Sequence, residues 1–336
     1  MKADAKYDQS VSLIRFIATI FIVTCHIMQY LDIELAWWFN VGVQMFLCMS
    51  GFLYGRRGII ENDVDFYLKN AKKILIDYYM VIVFVILLHA VFIPEYLSVS
   101  AVYRAFLTSA TLAGGQHLWY ISYCLLCYLI TPFLSRYFAT DKNNQLVKRF
   151  LVLSILTVLV MKVFFYSFNH AWIICYIIGF FLGKISKNEK RRLYVNISWI
   201  IVAGAIIFNA IQIVQDYIVH VTLSDRLASW YISFCDYAHV ALGVSLFVGL
   251  RFIFSALFAK GTHETLKKLC AYSDKYSYDV YLVHQFVILG PLSLMSFTGS
   301  LGINIALILV IIAVSAGIVH FLSTCIRNQQ ERCKQI

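Results

Sequence analysis

Long apolar runs separated by short polar segments dominate this sequence. An α-helix needs roughly 17 to 25 mostly apolar residues to cross the hydrocarbon core of a bilayer. By that measure we predict ten spans, at 11–30, 37–55, 74–94, 117–135, 150–168, 170–185, 194–214, 237–259, 276–295 and 303–325. The sixth run is short, and Asn169 and His170 must form a tight turn before it. The pattern therefore predicts an all-α fold, a polytopic integral membrane bundle of about ten transmembrane helices.

The composition and the placement of charge agree with this class. Of the 336 residues, 61% are hydrophobic and only 14% are charged, which is far too apolar for a soluble domain of this size. Alternate loops, the two terminal segments and the adjoining ends of spans hold all but four of the 28 lysines and arginines. Because basic loops stay on the inner side, we predict that both termini are cytoplasmic and that 95–116 and 215–236 are the longer outer loops. The formal charge of +10 thus reflects topology, and we expect no nucleic-acid partner.

No repeat, low-complexity tract or soluble appendage interrupts this plan, so we interpret residues 1–336 as a single integral membrane domain. The polar segment 261–275 is either a short amphipathic helix on the inner surface or a solvated linker. Most of the nine cysteines lie in apolar stretches and are interpreted as small buried hydrophobes. Cys124 and Cys127 form half of a metal motif, but no second pair at ligand spacing accompanies them, so we predict no metal site.

The first span carries one arginine and one histidine, Arg15 and His26, within an otherwise apolar run. Their separation of 11 positions puts both on one helix face, about 16 Å apart along the axis. Ionisable groups inside a span are costly unless they face protein, water or a ligand, so this pair is a candidate functional site. The structural alternative is a snorkelling arginine together with a hydrogen-bonded core histidine.

A ligand that touches both residues must be long and extended. The pantetheine arm of coenzyme A has about that length, with phosphates at one end and the reactive thioester at the other. Arg15 and the inner cluster of Lys69, Lys72 and Lys73 could hold the phosphates, while His26 could deprotonate an acceptor hydroxyl as a general base. The structural alternative for the lysines, which the residues alone favour, is an ordinary positive inner loop.

Other residues in the spans have both structural and functional interpretations. His117 and Trp119 start the fourth span, where they could form part of an aromatic belt or stack on an acceptor. Tyr281 and His284 lie on one face of the ninth span, where they could pair with each other or line a donor tunnel. Lys162 and Arg251 lie within predicted spans, so we expect them to face the bundle interior, although Arg251 is near enough to a helix end to snorkel.

Four motifs in this chain resemble those of the membrane acyltransferase 3 family, and they occur in the family's order. They are Arg15-x10-His26, the run GVQMFLCMSGFLYG at 42–55, the run HLWYISYCLLCYLITP at 117–132, and the run SYDVYLVHQFVI at 277–288. The resemblance extends from the first span to the ninth. Tyr120, within the third motif, joins His117, Trp119, Tyr281 and His284 as a candidate for lining the acceptor site or the tunnel.

The resemblance implies an integral membrane O-acyltransferase of the bacterial inner membrane. Members of the family take acyl groups from cytoplasmic acyl-CoA, here most simply acetyl-CoA, and place them on hydroxyls of a surface glycan or lipid-linked sugar. The first-span histidine is the implied base, and its arginine contributes to donor binding. No tightly bound cofactor is implied, the lipid bilayer surrounds the protein, and a homo-oligomer is an open possibility.

Two departures from the family pattern bear on the site. Lys69 and Lys72 stand where an Arg-x-x-Arg motif is common, so charge is kept but the bidentate fork is lost. Gln44 stands where many members have an acidic residue. The alternative function is a transporter that exports polysaccharide or a small acylated metabolite. Internal repeats and paired broken helices would favour a transporter, and the sequence contains neither.

Overall fold

The computed structural model describes residues 8–140, 142–186, 190–219, 223–259, 261 and 264–332. Within these ranges all regular structure is helical and no strand occurs, which confirms the predicted all-α class. The α-helices are α1 Gln9–Tyr30, α2 Ala36–Phe39, α3 Gly42–Gly55, α4 Asp63–Phe92, α5 Val99–Phe106, α6 Trp119–Tyr137, α7 Asn143–Phe164, α8 His170–Ile185, α9 Arg191–Ile213, α10 Asp225–Ala259, α11 Glu264–Ile288 and α12 Leu301–Arg332. Short 3-10 turns also occur at Pro94–Tyr96 and Gln116–Leu118, and a π-helical turn occurs at Val214–Val219.

Seven helical segments within the described ranges are long and apolar enough to cross a bilayer. They are Gln9–Tyr30, Ala36–Gly55, Asp63–Phe92, Gln116–Tyr137, Arg191–Val219, Asp225–Ala259 and Leu301–Gln330. The protein is therefore a multi-pass membrane protein. Helices α7, α8 and α11 correspond to the other three predicted spans; α8 has only 16 residues and α11 begins with a strongly polar segment. The count of ten stays a prediction, as do the cytoplasmic termini, whose end residues lie outside the described ranges.

Three predicted boundaries were wrong. Helices α4 and α10 begin before their predicted spans, and α11 ends before its predicted span does. Helix α4 begins at Asp63 instead of 74, because the Asn62 side chain accepts a hydrogen bond from the Asp65 amide and caps the first turn. Lys69 and Lys72 consequently lie on a helix and not in a loop. Helix α10 begins at Asp225, twelve positions before the predicted span, so part of the predicted outer loop is helical.

The third correction concerns α11. Residues 264–288 form one continuous helix, so most of the predicted amphipathic segment and the ninth span belong to one element. The helix stops at Ile288, before the predicted end at 295. Pro291 follows closely and cannot supply the backbone N–H that a further turn needs.

The chain divides into two compact units. The first comprises the described parts of Met1–Ala18, Asn40–Glu61 and Leu129–Lys267, and the second those of Thr19–Phe39, Asn62–Tyr128 and Lys268–Ile336. The single-domain assignment stays a prediction, and the two units are described separately.

The first unit is centred on α3 and α8, which approach each other at four glycines. A Cβ at Gly51 or Gly55 would overlap the main chain of α8, and one at Gly179 or Gly183 would overlap the main chain of α3. Both helices thus present a small-x3-small pattern, which lets helix backbones meet closely inside a bilayer. At one end of this unit, Asp8 accepts hydrogen bonds from Arg56 at 2.7 Å and from Arg251 at 3.5 Å. Arg251 therefore faces protein, as predicted.

The second unit contains an ion pair and a carboxylate–histidine contact between helices. Both carboxylate oxygens of Asp77 on α4 lie 2.6 Å from Nη2 of Arg327 on α12. Asp279 on α11 lies 3.2 Å from the ring of His320 on α12. The Asp77 and Asp279 side chains are almost fully buried, with relative exposures of 7% and 3%. Such carboxylates need a charged or hydrogen-bonding partner, and α12 supplies it.

Candidate functional site

Three histidines from three separate segments meet within the second unit. His26 comes from α1, His117 from the 3-10 turn before α6, and His284 from α11. The ring centroids of His117 and His284 are 4.8 Å apart, and the ring centroid of His26 lies 5.0 Å from that of His284 and 6.4 Å from that of His117. We call these residues the histidine cluster.

A tight turn presses the His117 segment against the end of α11. Gly114 has φ +74°, and a Cβ there would meet the Cα of Gly290. The left-handed conformation and the close backbone approach both require glycine. A Cβ on Gly115 would contact the Phe286 ring. The two glycines therefore bring His117 to the α11 face that carries His284.

Three atoms of His117 form hydrogen bonds with residues of α11. Its main-chain N–H donates to Oε1 of Gln285 at 2.6 Å, and its main-chain carbonyl accepts from the Tyr281 hydroxyl. Its ring Nε2 lies 3.2 Å from the carbonyl oxygen of Leu282. Because a carbonyl oxygen only accepts, Nε2 carries the proton. Nδ1 is then a buried lone pair with no hydrogen-bond partner in the described chain.

His284 has the opposite tautomer. Its Nδ1 lies 2.7 Å from the carbonyl oxygen of Tyr281 and 3.2 Å from that of Val280, so Nδ1 is the donor. Nε2 is buried and has no hydrogen-bond partner among the described residues. The two fully buried histidines, with relative exposures of 4% for His117 and 0% for His284, thus each present one unprotonated nitrogen.

His26 differs from the other two because it is only partly buried. Its Nδ1 lies 2.6 Å from Oε1 of Gln29, one turn further along α1. With the amide oxygen as acceptor, Nδ1 carries the proton and Nε2 is available as a base. His26 is therefore the most exposed member of the cluster. Sequence reasoning missed Gln29, although its i, i+3 spacing from His26 was the available signal.

The structure brings most of the predicted tunnel or acceptor residues to this cluster. The Tyr281 ring lies 5.2 Å from the His117 ring and 5.2 Å from the Tyr120 ring. Trp119 is one ring further out, against Tyr120 and Tyr123. His117 is buried, so the aromatic-belt interpretation was wrong for that residue. The functional roles of the predicted set stay predictions: His117, Trp119, Tyr120, Tyr281 and His284.

The predicted donor-binding residues are placed on two different helices. Arg15 is half-buried on α1 within the first unit, and Lys69 and Lys72 are exposed on α4 within the second. No ion pair is recorded between these lysines and an acidic residue of the described chain. Among the described residues, no group of three or more His, Cys, Asp or Glu side chains is arranged to hold a metal ion. Neither Cys124 nor Cys127 is in a disulfide within the described residues.

Comparison with known proteins places the chain in a family. The acyltransferase 3 profile, described as an acyltransferase domain, matches residues 8–322. No curated protein and no solved structure matches the chain. The profile covers all three segments of the histidine cluster and nearly the whole sequence, and the protein accordingly belongs to the acyltransferase 3 family of membrane acyltransferases.

Proposed function

We propose that this protein is an O-acyltransferase, most simply an O-acetyltransferase, of a bacterial cytoplasmic membrane. It takes an acyl group from cytoplasmic acyl-CoA and places it on a hydroxyl of a cell-surface or exported polysaccharide, or of its lipid-linked precursor. The observation that carries the proposal is the histidine cluster. In this cluster the neutral imidazole of His26 is accessible and lies beside the buried imidazoles of His117 and His284. Each buried ring has one unprotonated nitrogen, which can only accept a hydrogen bond.

The arrangement suits general-base catalysis. Nε2 of His26 takes the proton from the acceptor hydroxyl while its oxygen attacks the thioester carbonyl. The tetrahedral intermediate then collapses, the carbon–sulfur bond breaks, and His26 returns the proton to the leaving thiolate. The products are the ester and free coenzyme A, so atoms and charge balance without another reactant.

The two buried histidines support this step without exchanging protons. The unprotonated nitrogen of His117 or His284 can accept a hydrogen bond from the imidazolium that His26 briefly becomes. Hydrogen bonds in which one partner is charged are about twice as strong as neutral ones. The cluster would therefore stabilise the transition state more than the ground state, which is what accelerates a reaction.

Donor binding is proposed for Arg15, Lys69 and Lys72. These cations suit the phosphates of coenzyme A, and the positive-inside pattern predicts that all three lie at the cytoplasmic side. The distance of about 16 Å that 11 helical residues span matches an extended pantetheine arm between Arg15 and His26. The lysines act as point charges, because they cannot form the planar fork of arginine.

The proposal is tested with two variants of the purified full chain, His26→Gln and Arg15→Ala. Glutamine keeps hydrogen-bonding capacity but cannot take the proton, so kcat should fall by about 10²- to 10⁴-fold with the KM for acyl-CoA unchanged. Arg15→Ala should raise the KM for acyl-CoA, because a phosphate contact is lost. Ester content of the glycan in cells that express His26→Gln at the parental level gives the in vivo measurement. Unchanged ester content there would remove His26 as the base and favour the transporter alternative.

A further inference from the structure

A polar cavity lies in the first unit, remote in sequence from the histidine cluster. It has a volume of about 360 Å³, and its polar lining comes from the end of α7, the turn that follows, the start of α8 and the middle of α10. We call it the Asp236 pocket and define it by Lys162, Ser167, Asn169, His170, Ser233 and Asp236. The positive-inside pattern predicts that the turn between α7 and α8 faces outward.

Several contacts hold the polar groups of this pocket in place. Nδ2 of Asn169 donates to Oδ2 of Asp236 at 2.8 Å, while Oδ1 of Asn169 caps α8 by accepting from the Ala171 amide at 2.9 Å. The His170 ring stacks on Tyr237, and its Nδ1 lies 2.9 Å from the Tyr237 hydroxyl. Two residues of the turn and one carboxylate on α10 are thereby ordered without a ligand.

Lys162 is arranged differently from the sequence expectation. It lies in the last turn of α7 with an exposed side chain, and does not face a bundle interior. Its Nζ is 5.7 Å from the centre of the Trp230 ring, which is within the range of a cation–π contact. The Lys162 cation therefore lines the same pocket as the carboxylate of Asp236.

The chemistry of this lining selects a hydroxyl-rich ligand. The charges of Lys162 and Asp236 cancel, so neither a strongly anionic nor a strongly cationic group is favoured. Lys162 offers donors, and the carboxylate of Asp236 offers acceptor oxygens, one of which already accepts from Asn169. A sugar hydroxyl both donates and accepts, so adjacent hydroxyls of one ring can satisfy both kinds of group. Tyr166 and Phe168, which also line the cavity, supply apolar faces for the ring carbons.

We propose that the Asp236 pocket binds a sugar residue of the glycan acceptor. The identity of the glycan rests on the proposed function, but the binding does not depend on acyl transfer. A volume of about 360 Å³ lies within the usual range of small-molecule sites, about 300–1,000 Å³, and admits one or two sugar rings. The pocket would bind a sugar of the glycan other than the one whose hydroxyl reacts. Binding energy from such a non-reacting part of the substrate raises specificity for the acceptor.

The kinetic test compares Asp236→Ala with Asp225→Ala in the full chain. Asp225 is an exposed aspartate at the start of the same helix and is outside the pocket lining. The acceptor is the surface glycan of the source cell after mild alkaline removal of its esters. We expect Asp236→Ala to raise the KM for this glycan at least tenfold, with the KM for acyl-CoA unchanged and Asp225→Ala silent. An unchanged glycan KM in a folded Asp236→Ala protein would overturn the proposal.

A second measurement requires neither catalysis nor a disruptive substitution. Ser233→Cys places a thiol in the pocket wall, and Ser224→Cys places one on an exposed residue just before α10. The maleimide labelling rate of each variant is measured after the labelling of the parent protein is subtracted. The de-esterified glycan should slow this rate several-fold for Ser233→Cys and leave it unchanged for Ser224→Cys. The same protection in a His26→Gln background would support the pocket even if the acyltransferase proposal failed. Full acyl transfer without any protection would overturn the pocket while leaving that proposal intact.

Discussion

The two units differ in the contact at the centre of each. In the first, α3 and α8 meet at glycines, and the contact is between backbones. In the second, Asp77 and Arg327 link α4 to α12, and the histidine cluster brings side chains of α1 and α11 together.

The difference follows from what a bilayer rewards. Lipid tails are as apolar as leucine, so burying apolar side chains gives helices little reason to associate there, and close packing of small residues becomes the main attraction. Polar and ionisable groups are costly in that medium and persist where they serve a function. The glycine contact is thus expected to be a scaffold, and the histidine cluster of the second unit is where we expect the proposed chemistry to take place.

The largest expected effect comes from filling the glycine contact. Gly179→Leu would place a side chain where the main chain of Cys48 already lies. Because a backbone cannot yield as a flexible side chain does, we expect a loss of about 3 kcal/mol or more in stability. The midpoint of thermal unfolding in detergent, followed by tryptophan fluorescence, measures it.

The matched control is Gly204→Leu. Gly204 also lies within a helix, α9, and a Cβ there meets nothing within 4 Å. This variant should unfold at the parental temperature or slightly above it, since leucine has the better helix propensity. Equal destabilisation by the two variants would show that glycine is needed for reasons other than close packing.

A smaller effect is expected from breaking an ionic link in the second unit. Arg327→Met leaves the buried carboxylate of Asp77 without its partner. Removing one member of a buried pair costs about 3–5 kcal/mol, but Arg327 is about a third exposed, and solvent screening reduces our expectation to about 2 kcal/mol. The same thermal measurement applies.

Two further variants show whether the loss arises from the stranded charge. Asp77→Asn combined with Arg327→Met should recover most of the stability, because the uncompensated carboxylate is gone. Arg332→Met changes an exposed arginine at the end of the same helix and should have no effect. Failure of the double variant to recover would assign the loss to packing of the Arg327 side chain.

Hydropathy alone predicted the helical class, but it misplaced helix ends where polar residues continue a helix. The cap at Asn62 with Asp65 is a recognisable start signal, and Pro291 is a recognisable stop. Both were present in the sequence. The start of α10 at Asp225 was harder to predict, because polar positions in its first turns resemble a loop on any hydropathy scale.

The sequence predicted which residues form the candidate site but not how they are arranged. His26, His117, Tyr281 and His284 were all singled out as unusual within apolar spans. Their convergence depends on the turn at Gly114 and on contacts between segments more than 100 residues apart in sequence, such as His117 with Leu282. No periodicity within one helix encodes such contacts.

The smallest expected effect tests Gln29, a positioning residue that hydropathy cannot reveal. Gln29→Leu removes the oxygen that accepts from Nδ1 of His26. The tautomer that leaves Nε2 unprotonated is then no longer held in place. One neutral hydrogen bond contributes about 1 kcal/mol, and kcat should therefore fall about fivefold with the KM for acyl-CoA and the unfolding temperature unchanged. Gln29→Glu keeps an acceptor oxygen at the same reach and should retain most of the activity. Equal losses in the two variants, or a lowered unfolding temperature in Gln29→Leu, would mean that Gln29 acts on the structure of α1 and not through His26.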